Sequence, residues 1–354
     1  MAPTGIAIIG GGIFVKEQHI PAALASPLLT IKAIWSRSLK TAEDAAKLVP
    51  ADNGPVDLYS TDSGTGKAYE DILKRDDVTG VILALPIPDQ PSYIKKALAA
   101  GKHVLAEKPL AKDVATAVEL IEYYKRVSAE TAASFAVAEN FRFTPSYLYA
   151  AEEVKKLGKV TGFVVRVGFM METSNKYYNT PWRTTPQYQG GFLLDAGVHF
   201  TAATRKLLGG DNAVESLVAQ TALVQDHLPP VDSINAILKT KSGVVGSFIN
   251  SVGTTLGAFE YAIACEKGAV KAEATKVTTV RGYGQNAATE EKAFEQTTGV
   301  KEEVQAWAES LLSGIPNPNQ TPELALGDLE LLEKMLTSGD QDGARQTLQF
   351  QHFE

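Results

Sequence analysis

Lys108, Asp195 and His199 are the side chains of this sequence whose types and spacing best suit proton transfer. Asp195 and His199 stand four positions apart, which puts both on one face of a helix. Lys108 comes directly after the apolar run at 104–106, which is typical of a buried strand. A lysine after a strand and a histidine at the start of a helix also occur without a catalytic role. Taken together, the three residues predict a site for acid–base chemistry.

A glycine turn follows the predicted strand at residues 6–9. In Gly10-Gly11-Gly12, the first glycine permits a tight turn and the last lets the backbone approach a pyrophosphate. The pyrophosphate would then face the N–H groups of the following helix. Val15 stands where a third small residue is usual, so the motif alone is weak. We predict a dinucleotide cofactor held by Gly10, Gly12, Ile13 and Phe14.

The end of the second predicted strand distinguishes NADP from NAD. An acidic residue there would bind the ribose 2′-hydroxyl, but this chain has Ser36-Arg37-Ser38 and no acid before Glu43. A guanidinium flanked by hydroxyls suits a 2′-phosphate, which a carboxylate would repel. A surface arginine on a loop is the simpler alternative. We predict NADP(H) as the cofactor, with contacts from Ser36, Arg37 and Ser38, and NAD(H) as the less favoured one.

The first 137 residues alternate predicted strands and helices, which favours an α/β fold with a doubly wound parallel sheet of the Rossmann type. One helix is predicted over 14–25, with Pro21 bending it. Ligands of such sheets bind beyond the carboxyl ends of the strands. The residues that follow predicted strand ends, and so share this edge, are Gly10, Pro86, Lys108 and Asn140.

The rest of the chain has successive strand-like stretches without crossover helices, which favours an antiparallel sheet. One helix, about 199–208, interrupts them, and two more, near 300–312 and 322–336, close the chain. We predict a dinucleotide-binding domain at 1–137 and an α+β substrate-binding and dimerisation domain at 138–354, with a C-terminal helix that can pack back on the first. The large sheet has too few helices to cover both faces, so a homodimer is expected to bury its open face.

The composition excludes several classes of protein. The 354 residues are 44% apolar and 21% charged, with a net charge of −7, which argues against a nucleic-acid footprint. No apolar run reaches membrane-spanning length, and the N-terminal stretch ends at glycines, unlike a signal peptide. A single cysteine, Cys265, precludes an internal disulfide and favours a reducing, cytoplasmic location. The remaining histidines show no ligand spacing, so no metal site is expected.

The chain resembles the Gfo/Idh/MocA oxidoreductase family over nearly its whole length, and its opening looks most like fungal NADP-linked members. The glycine turn, Val15 apart, is one part of the likeness. Gln90 departs from the family pattern, because many members have a histidine about there. The other motifs that carry the resemblance are Glu107-Lys108-Pro109, Asn140-Phe141-Arg142, Trp182-Arg183 with Pro186, and Asp195-Ala196-Gly197-Val198-His199.

This resemblance implies hydride transfer between a nicotinamide and a secondary alcohol or carbonyl of a sugar, polyol, diol or related small molecule. Lys108 and His199 would take part in proton transfer, and Asp195 would orient His199 or a substrate hydroxyl. The same resemblance suggests Tyr178 and Tyr188 as substrate contacts. It extends the cofactor contacts to Leu85, Pro86, Gln90, Glu107, Lys108, Asn140, Trp182 and Arg183. Two alternatives stay open: a dinucleotide-binding sensor without turnover, and an enzyme that recycles a tightly held cofactor.

Overall fold

The computed structural model describes residues 2–353, which divide into two compact units. The first unit runs to Asn140 and includes Val300–Ala325, and the second comprises Phe141–Gly299 and the chain from Leu326 onward. The predicted division at 137/138 assigns 138–354 to the second domain and allows a C-terminal helix to pack back on the first. The segment 300–325 instead groups with the first unit, because its helix packs there.

The first unit is built on a six-stranded, fully parallel sheet in the order β3-β2-β1-β4-β5-β6. The strands are short and buried, as expected where helices cover both faces. This confirms the predicted parallel sheet. The strands are β1 (Thr4–Ile9), β2 (Leu29–Ser36), β3 (Asp57–Ser60), β4 (Gly80–Leu83), β5 (His103–Glu107) and β6 (Phe135–Ala138).

Five helices connect these strands, and a sixth comes from much later in the chain. That late helix buries Trp307 in the same core cluster as Ile6, Ile34 and Leu105 of the sheet. Apolar burial of this kind is what draws 300–325 into the first unit. The helices are α1 (Ile20–Ala25), α2 (Leu39–Ala46), α3 (Tyr69–Leu73), α4 (Gln90–Ala99), α5 (Val114–Thr131) and α9 (Val300–Ser313), with 3₁₀ turns at Ala51–Asn53 and Pro318–Gln320.

The segment after the glycine turn differs from the regular helix predicted over 14–25. Val15–His19 form a π turn, in which the N–H of Ile20 bonds to the carbonyl of Val15, and α1 follows directly. Pro21 has no N–H to continue an α-helical ladder, and the wider turn ends just before it. The extra residue rotates this stretch so that Val15 and His19 are both buried.

The second unit contains a nine-stranded sheet in the order β14-β13-β12-β11-β7-β10-β9-β8-β15. Within this sheet, the β10–β7 pair is the only parallel one among the described strands, so the sheet is mostly antiparallel, as predicted. Its strands are β7 (Val160–Met170), β8 (Val214–Ala222), β9 (Ser233–Thr240), β10 (Val245–Ser251), β11 (Gly253–Cys265), β12 (Gly268–Ala272), β13 (Lys276–Arg281), β14 (Ala288–Ala293) and β15 (Gln346–Thr347).

One face of this sheet packs on helices, and α8 contacts β7, β11 and α6 there. The predicted helix at 199–208 begins eight residues earlier than expected, because Gly190 and Gly191 adopt positive φ values of 70° and 51° and start it there. The helices are α6 (Pro145–Lys156), α7 (Pro181–Thr184), α8 (Gly191–Leu208) and α10 (Pro322–Asp340), with 3₁₀ turns at Asn140–Phe143, Gly210–Asn212 and Gly284–Asn286.

Candidate functional site

The glycine turn lies at the carboxyl end of β1, and each of its glycines has a different surrounding. Gly10 has a φ of 132°, and a Cβ there would lie 2.3 Å from the carbonyl oxygen of Ala84. A Cβ on Gly11 would lie 2.7 Å from Thr41 Cγ2. Gly12 is exposed and a Cβ there would meet nothing within 4 Å. The packing thus explains the first two glycines, and the third leaves open the space that a pyrophosphate would need.

The predicted cofactor contacts that follow Gly12 and β4 lie near the carboxyl ends of two neighbouring strands. Ile13 and Phe14 are half-buried and precede the π turn, and Leu85 and Pro86 are half-buried after β4. The carbonyl of Pro86 accepts the backbone N–H of Gln90 at the start of α4. The predicted strand-end residues of β1 and β4 therefore lie at one edge, since the two strands are parallel neighbours.

The end of β2 presents one exposed cation. Arg37 is exposed, and its guanidinium pairs with no carboxylate among residues 2–353. Ser36 is buried, whereas the hydroxyl of Ser38 accepts the N–H of Thr41 and so caps α2. Ser38 was predicted as a cofactor contact, and the structure gives its hydroxyl this capping role.

Asp62 is a charged group at the start of α2 that the sequence did not reveal. Its Oδ1 accepts the N–H of Leu39, the first residue of α2, at 2.8 Å and the hydroxyl of Ser60 at 2.5 Å. The Ser60 bond and then the Leu39 bond lower the pKa of the Asp62 carboxyl. The N-terminus of α2 is thus already bonded to Asp62, so a 2′-phosphate at this place depends on side chains such as Arg37.

Lys108 directly follows β5, half-buried, and its surroundings fix its backbone. Its N–H donates to Glu107 Oε2 at 3.1 Å, and the Lys108–Pro109 peptide is cis. Gln90 is fully buried, and its Nε2 donates to the carbonyls of Glu107 at 3.0 Å and Pro109 at 3.4 Å. Gln90 was predicted to contact the cofactor; the structure uses its amide to hold the backbone on both sides of Lys108.

His19 is a second residue near this motif that sequence reasoning assigned no role. Its side chain is fully buried, and Nε2 lies 2.7 Å from Glu107 Oε1. The two residues are 88 positions apart, so no local pattern could link them. The only signal was a histidine shortly after a glycine turn. Both oxygens of Glu107 are therefore engaged inside the first unit, and the predicted cofactor contact at Glu107 stays a prediction.

In the second unit, Asp195 and His199 both lie on α8, one turn apart, as the spacing predicted. Asp195 is 5% exposed, and its Oδ2 accepts a hydrogen bond from Arg183 Nε at 2.8 Å. The Arg183 guanidinium also lies 4.0 Å from the centre of the Trp182 ring. Trp182 and Arg183 were predicted as cofactor contacts, and within this unit they form an assembly that neutralises Asp195.

The ring of His199 is half-buried and stacks on Phe141, with ring centroids 4.6 Å apart and planes 17° apart. Phe141 also contacts Phe200 and Phe259, so one side of the imidazole borders an aromatic cluster. This stacking restricts the rotation of the His199 side chain. Through Phe141, the Asn140-Phe141-Arg142 motif therefore supports the candidate catalytic histidine. The sequence of the motif did not reveal this role. The predicted cofactor contact at Asn140, which is buried, stays a prediction.

Arg142, which follows Phe141, is anchored in a buried ionic cluster. Its guanidinium and that of Arg205 share the carboxylate of Asp328, each with a contact of 2.5 Å. All three side chains are at most 4% exposed. Burial lowers the pKa of Arg205, while the charge of Asp328 acts in the opposite direction. This cluster ties the start of the second unit to α8 and α10.

The two predicted substrate tyrosines are both buried. The hydroxyl of Tyr178 donates to the carbonyl of His227 at 2.7 Å, so it already has a structural partner. Tyr188 contacts Trp182, and burial and then the charge of Asp195 raise the pKa of its hydroxyl. Of the pair, only Tyr188 lies beside the Arg183–Asp195 assembly, and its contact with a substrate stays a prediction.

Two absences hold for the described part of the chain. Residues 2–353 contain no group of three or more His, Cys, Asp or Glu side chains that could hold a metal ion. No helix within the same range is both long and apolar enough to cross a membrane.

Both units match models of known protein families. The model described as an oxidoreductase family with an NAD-binding Rossmann fold matches residues 4–134, and the model of the GFO/IDH/MocA C-terminal domain matches 148–271. The chain is 38% identical to dehydrogenase FPY6 of Fusarium mangiferae over 352 residues, which is 98% of this chain and 99% of the relative. It is 29% identical to the dTDP-3,4-didehydro-2,6-dideoxy-alpha-D-glucose 3-reductase of Actinomadura kijaniata, over 68% of this chain and 66% of the relative.

Solved structures of similar fold superimpose on nearly the whole chain. An oxidoreductase from Thermotoga maritima superimposes with a TM-score of 0.84 at 30% identity, over 98% of both chains. KijD10, a 3-ketoreductase from Actinomadura kijaniata in complex with NADP, has a TM-score of 0.72 at 23% identity, over 95% of this chain and 97% of that one. At that identity the second likeness shows the fold alone.

Proposed function

This chain belongs to the Gfo/Idh/MocA family of oxidoreductases with an NAD(P)-binding Rossmann fold, and we propose that it is an NADP(H)-dependent reductase or dehydrogenase of small carbonyl and alcohol compounds. Its substrates would be sugars, polyols, diols or related molecules with a secondary hydroxyl or a keto group. Likeness to a sugar 3-reductase supports this class. The observation that carries the proposal is that Lys108 and the open Gly12 turn lie at the same edge of one parallel sheet.

The residues of the first unit fit a dinucleotide. Gly12 leaves space where a phosphate can approach the backbone, and Gly10 makes the turn possible. β1 and β5 are separated only by β4, so Gly10 and Lys108 follow strands about 10 Å apart, which is within the length of a dinucleotide. The bound nicotinamide supplies or accepts the hydride.

Arg37 supports the choice of NADP(H). It is an exposed guanidinium without a carboxylate partner among the described residues, at the strand end where the adenosine ribose binds in this fold. Asp62 already accepts the first N–H of α2. We infer that Arg37 is the main determinant of affinity for the 2′-phosphate and that NAD(H) binds more weakly.

Lys108 and His199 would exchange protons with the reacting oxygen, and Asp195 would orient His199 or a hydroxyl of the substrate. The Arg183 ion pair gives this buried carboxylate a charged partner and supports an orienting role for Asp195. The stacking on Phe141 holds His199 in one orientation. The resemblance to the family implies these roles, and the contacts of each side chain within its own unit support them.

The large sheet supports a homodimer. Along β9 the side chains alternate between buried and exposed, and on the uncovered face Val218, Ile237 and Val245 are at least 37% exposed. A shallow depression of about 390 Å³ lies on this face, between β8, β9, β10 and Gly343. Apolar side chains in such a position indicate an interface. A small-molecule substrate, this dimer and a cytoplasmic location complete the proposal.

The test is the oxidation of NADPH, followed by absorbance, with a panel of keto-sugars and diketones, and the reverse reaction with the matching alcohols. We expect turnover with at least one compound and its loss by about 10⁴-fold in Lys108→Ala, the upper end of what a positioned proton donor contributes. Lys112→Ala is the matched control, since Lys112 is an exposed lysine of the same loop.

In the same samples, NADPH binding by fluorescence should be close to the wild-type value in both variants. NADPH binding without turnover for any compound would favour a dinucleotide sensor. Turnover without added cofactor would favour a tightly held, recycled one. Lys108→Ala with wild-type turnover would remove the assignment of the site.

A further inference from the structure

His19 is a fully buried histidine that the proposed reaction does not use. Its Nε2 donates to Glu107 Oε1 at 2.7 Å, and the other oxygen of that carboxylate accepts the N–H of Lys108 at 3.1 Å. The carboxylate is therefore held at both ends, and it connects the imidazole to the backbone of the candidate catalytic lysine. Without the bond to His19, rotation of Glu107 would release the N–H of Lys108.

The position of His19 results from the π turn that precedes α1. The π turn at Val15–His19 comes three residues after Gly12 and brings the imidazole inward, where the ring of Phe14 meets its edge at 5.3 Å. Single π turns within helices occur often at functional sites. This one links the segment that follows the glycine turn to the loop that bears Lys108.

The second ring nitrogen of His19 argues against a purely packing role. Nδ1 is buried and has no hydrogen-bond partner among residues 2–353. An apolar side chain would fill this space without burying an unpaired nitrogen, which is unfavourable. What the histidine adds is therefore its bond from Nε2 to Glu107.

We propose that His19 is a positioning residue for Lys108 and acts through the Glu107 carboxylate. The inference rests on the proposed function, because it requires that Lys108 takes part in the reaction. Gln90 holds the carbonyls on both sides of Lys108, while His19, through Glu107, holds the N–H of Lys108. His19 itself touches neither substrate nor cofactor in this account.

Two variants distinguish the effect of the hydrogen bond to Glu107 from the effect of having any polar side chain at position 19. In His19→Gln the amide nitrogen can reach the place of Nε2, whereas in His19→Asn it reaches only the place of Nδ1. We expect His19→Asn to lower kcat by about 10- to 100-fold, with KM for NADPH close to the wild-type value, because Lys108 is displaced. His19→Gln should recover most of the loss.

The matched control is His103→Gln, at the opposite end of β5. His103 Nδ1 lies 2.8 Å from Ser134 Oγ, so this variant also removes a hydrogen bond of a histidine in the same unit. It should lower the melting temperature and leave kcat unchanged. Equal losses of kcat in His19→Asn, His19→Gln and His103→Gln would show a general effect of stability and overturn the proposal.

A second measurement does not depend on turnover. The rate at which acetic anhydride modifies Lys108 in the full-length protein, followed by mass spectrometry, should change in His19→Asn and return in His19→Gln, with Lys112 as the internal reference. An unchanged rate at Lys108 would overturn the positioning role even if kcat falls. Full turnover in Lys108→Ala, by contrast, would contradict the proposed function, and the labelling rates would still test the link from His19 to Lys108.

Discussion

The two units hold their candidate catalytic side chains by different means. Lys108 follows a buried strand. Its N–H donates to the Glu107 carboxylate, and the Gln90 amide donates to the carbonyl of Glu107, so the backbone around it is fixed. His199 belongs to a long helix, and a neighbouring ring, Phe141, fixes its side chain. A substitution at Lys108 should therefore remove one chemical group from an intact loop. A substitution around His199 should instead disturb ring contacts from several segments, because Phe141 also contacts Phe200 and Phe259.

The largest effect expected in the second unit comes from His199→Ala. It should lower kcat by about 10²–10⁴-fold, the range for the loss of one positioned proton-transfer group, with NADPH binding unchanged. His227→Ala is the control, because His227 in the same unit bonds to the carbonyl of Met171. Weaker NADPH binding with unchanged kcat would instead place His199 among the cofactor contacts.

The second unit also contains the buried ionic cluster of Arg142, Arg205 and Asp328. Asp328→Asn should lower the free energy of unfolding by about 3–5 kcal/mol, because two buried guanidinium groups lose their shared carboxylate. Urea unfolding measures this change, and Asp340→Asn, an exposed aspartate on the same helix, should change stability little. A small loss in Asp328→Asn would mean that the arginines find other partners.

The smallest of these effects concerns the cofactor in the first unit. Arg37→Ala should weaken NADPH binding by about 1.5–3 kcal/mol and leave NADH binding nearly unchanged, because only the 2′-phosphate loses a charged partner. Lys47→Ala, at the far end of α2, is the control for a general loss of positive charge. Equal losses for both cofactors would exclude Arg37 as the residue that recognises the phosphate.

The difference between the units also explains what the sequence could reveal. The Gly10–Gly12 turn, Lys108 after a strand and the Asp195–His199 spacing are local patterns, and the structure has them on the expected elements. His19–Glu107 and Arg142–Asp328 join residues 88 and 186 positions apart, so no local pattern could predict them. The polar strand β14 was missed because all six of its residues are exposed and lack alternation.

The start of α8 was missed for a related reason. Two glycines in a row, Gly190 and Gly191, are typical of a loop. Here they adopt positive φ values at the start of a helix, and they pack against Pro229 and Leu336. Tertiary contacts of this kind override local preference. The same contacts place Asp195 in the second turn of α8 instead of before its start.

The most direct test of the account asks whether Lys108 and His199 serve one reaction. We would measure kcat for Lys108→Ala, His199→Ala and the double variant with the same substrate. Residues that act as one catalytic unit show losses far from additive, so the double variant should be about as slow as Lys108→Ala alone. Losses that multiply in the double variant would contradict the account, because the two side chains would then contribute independently.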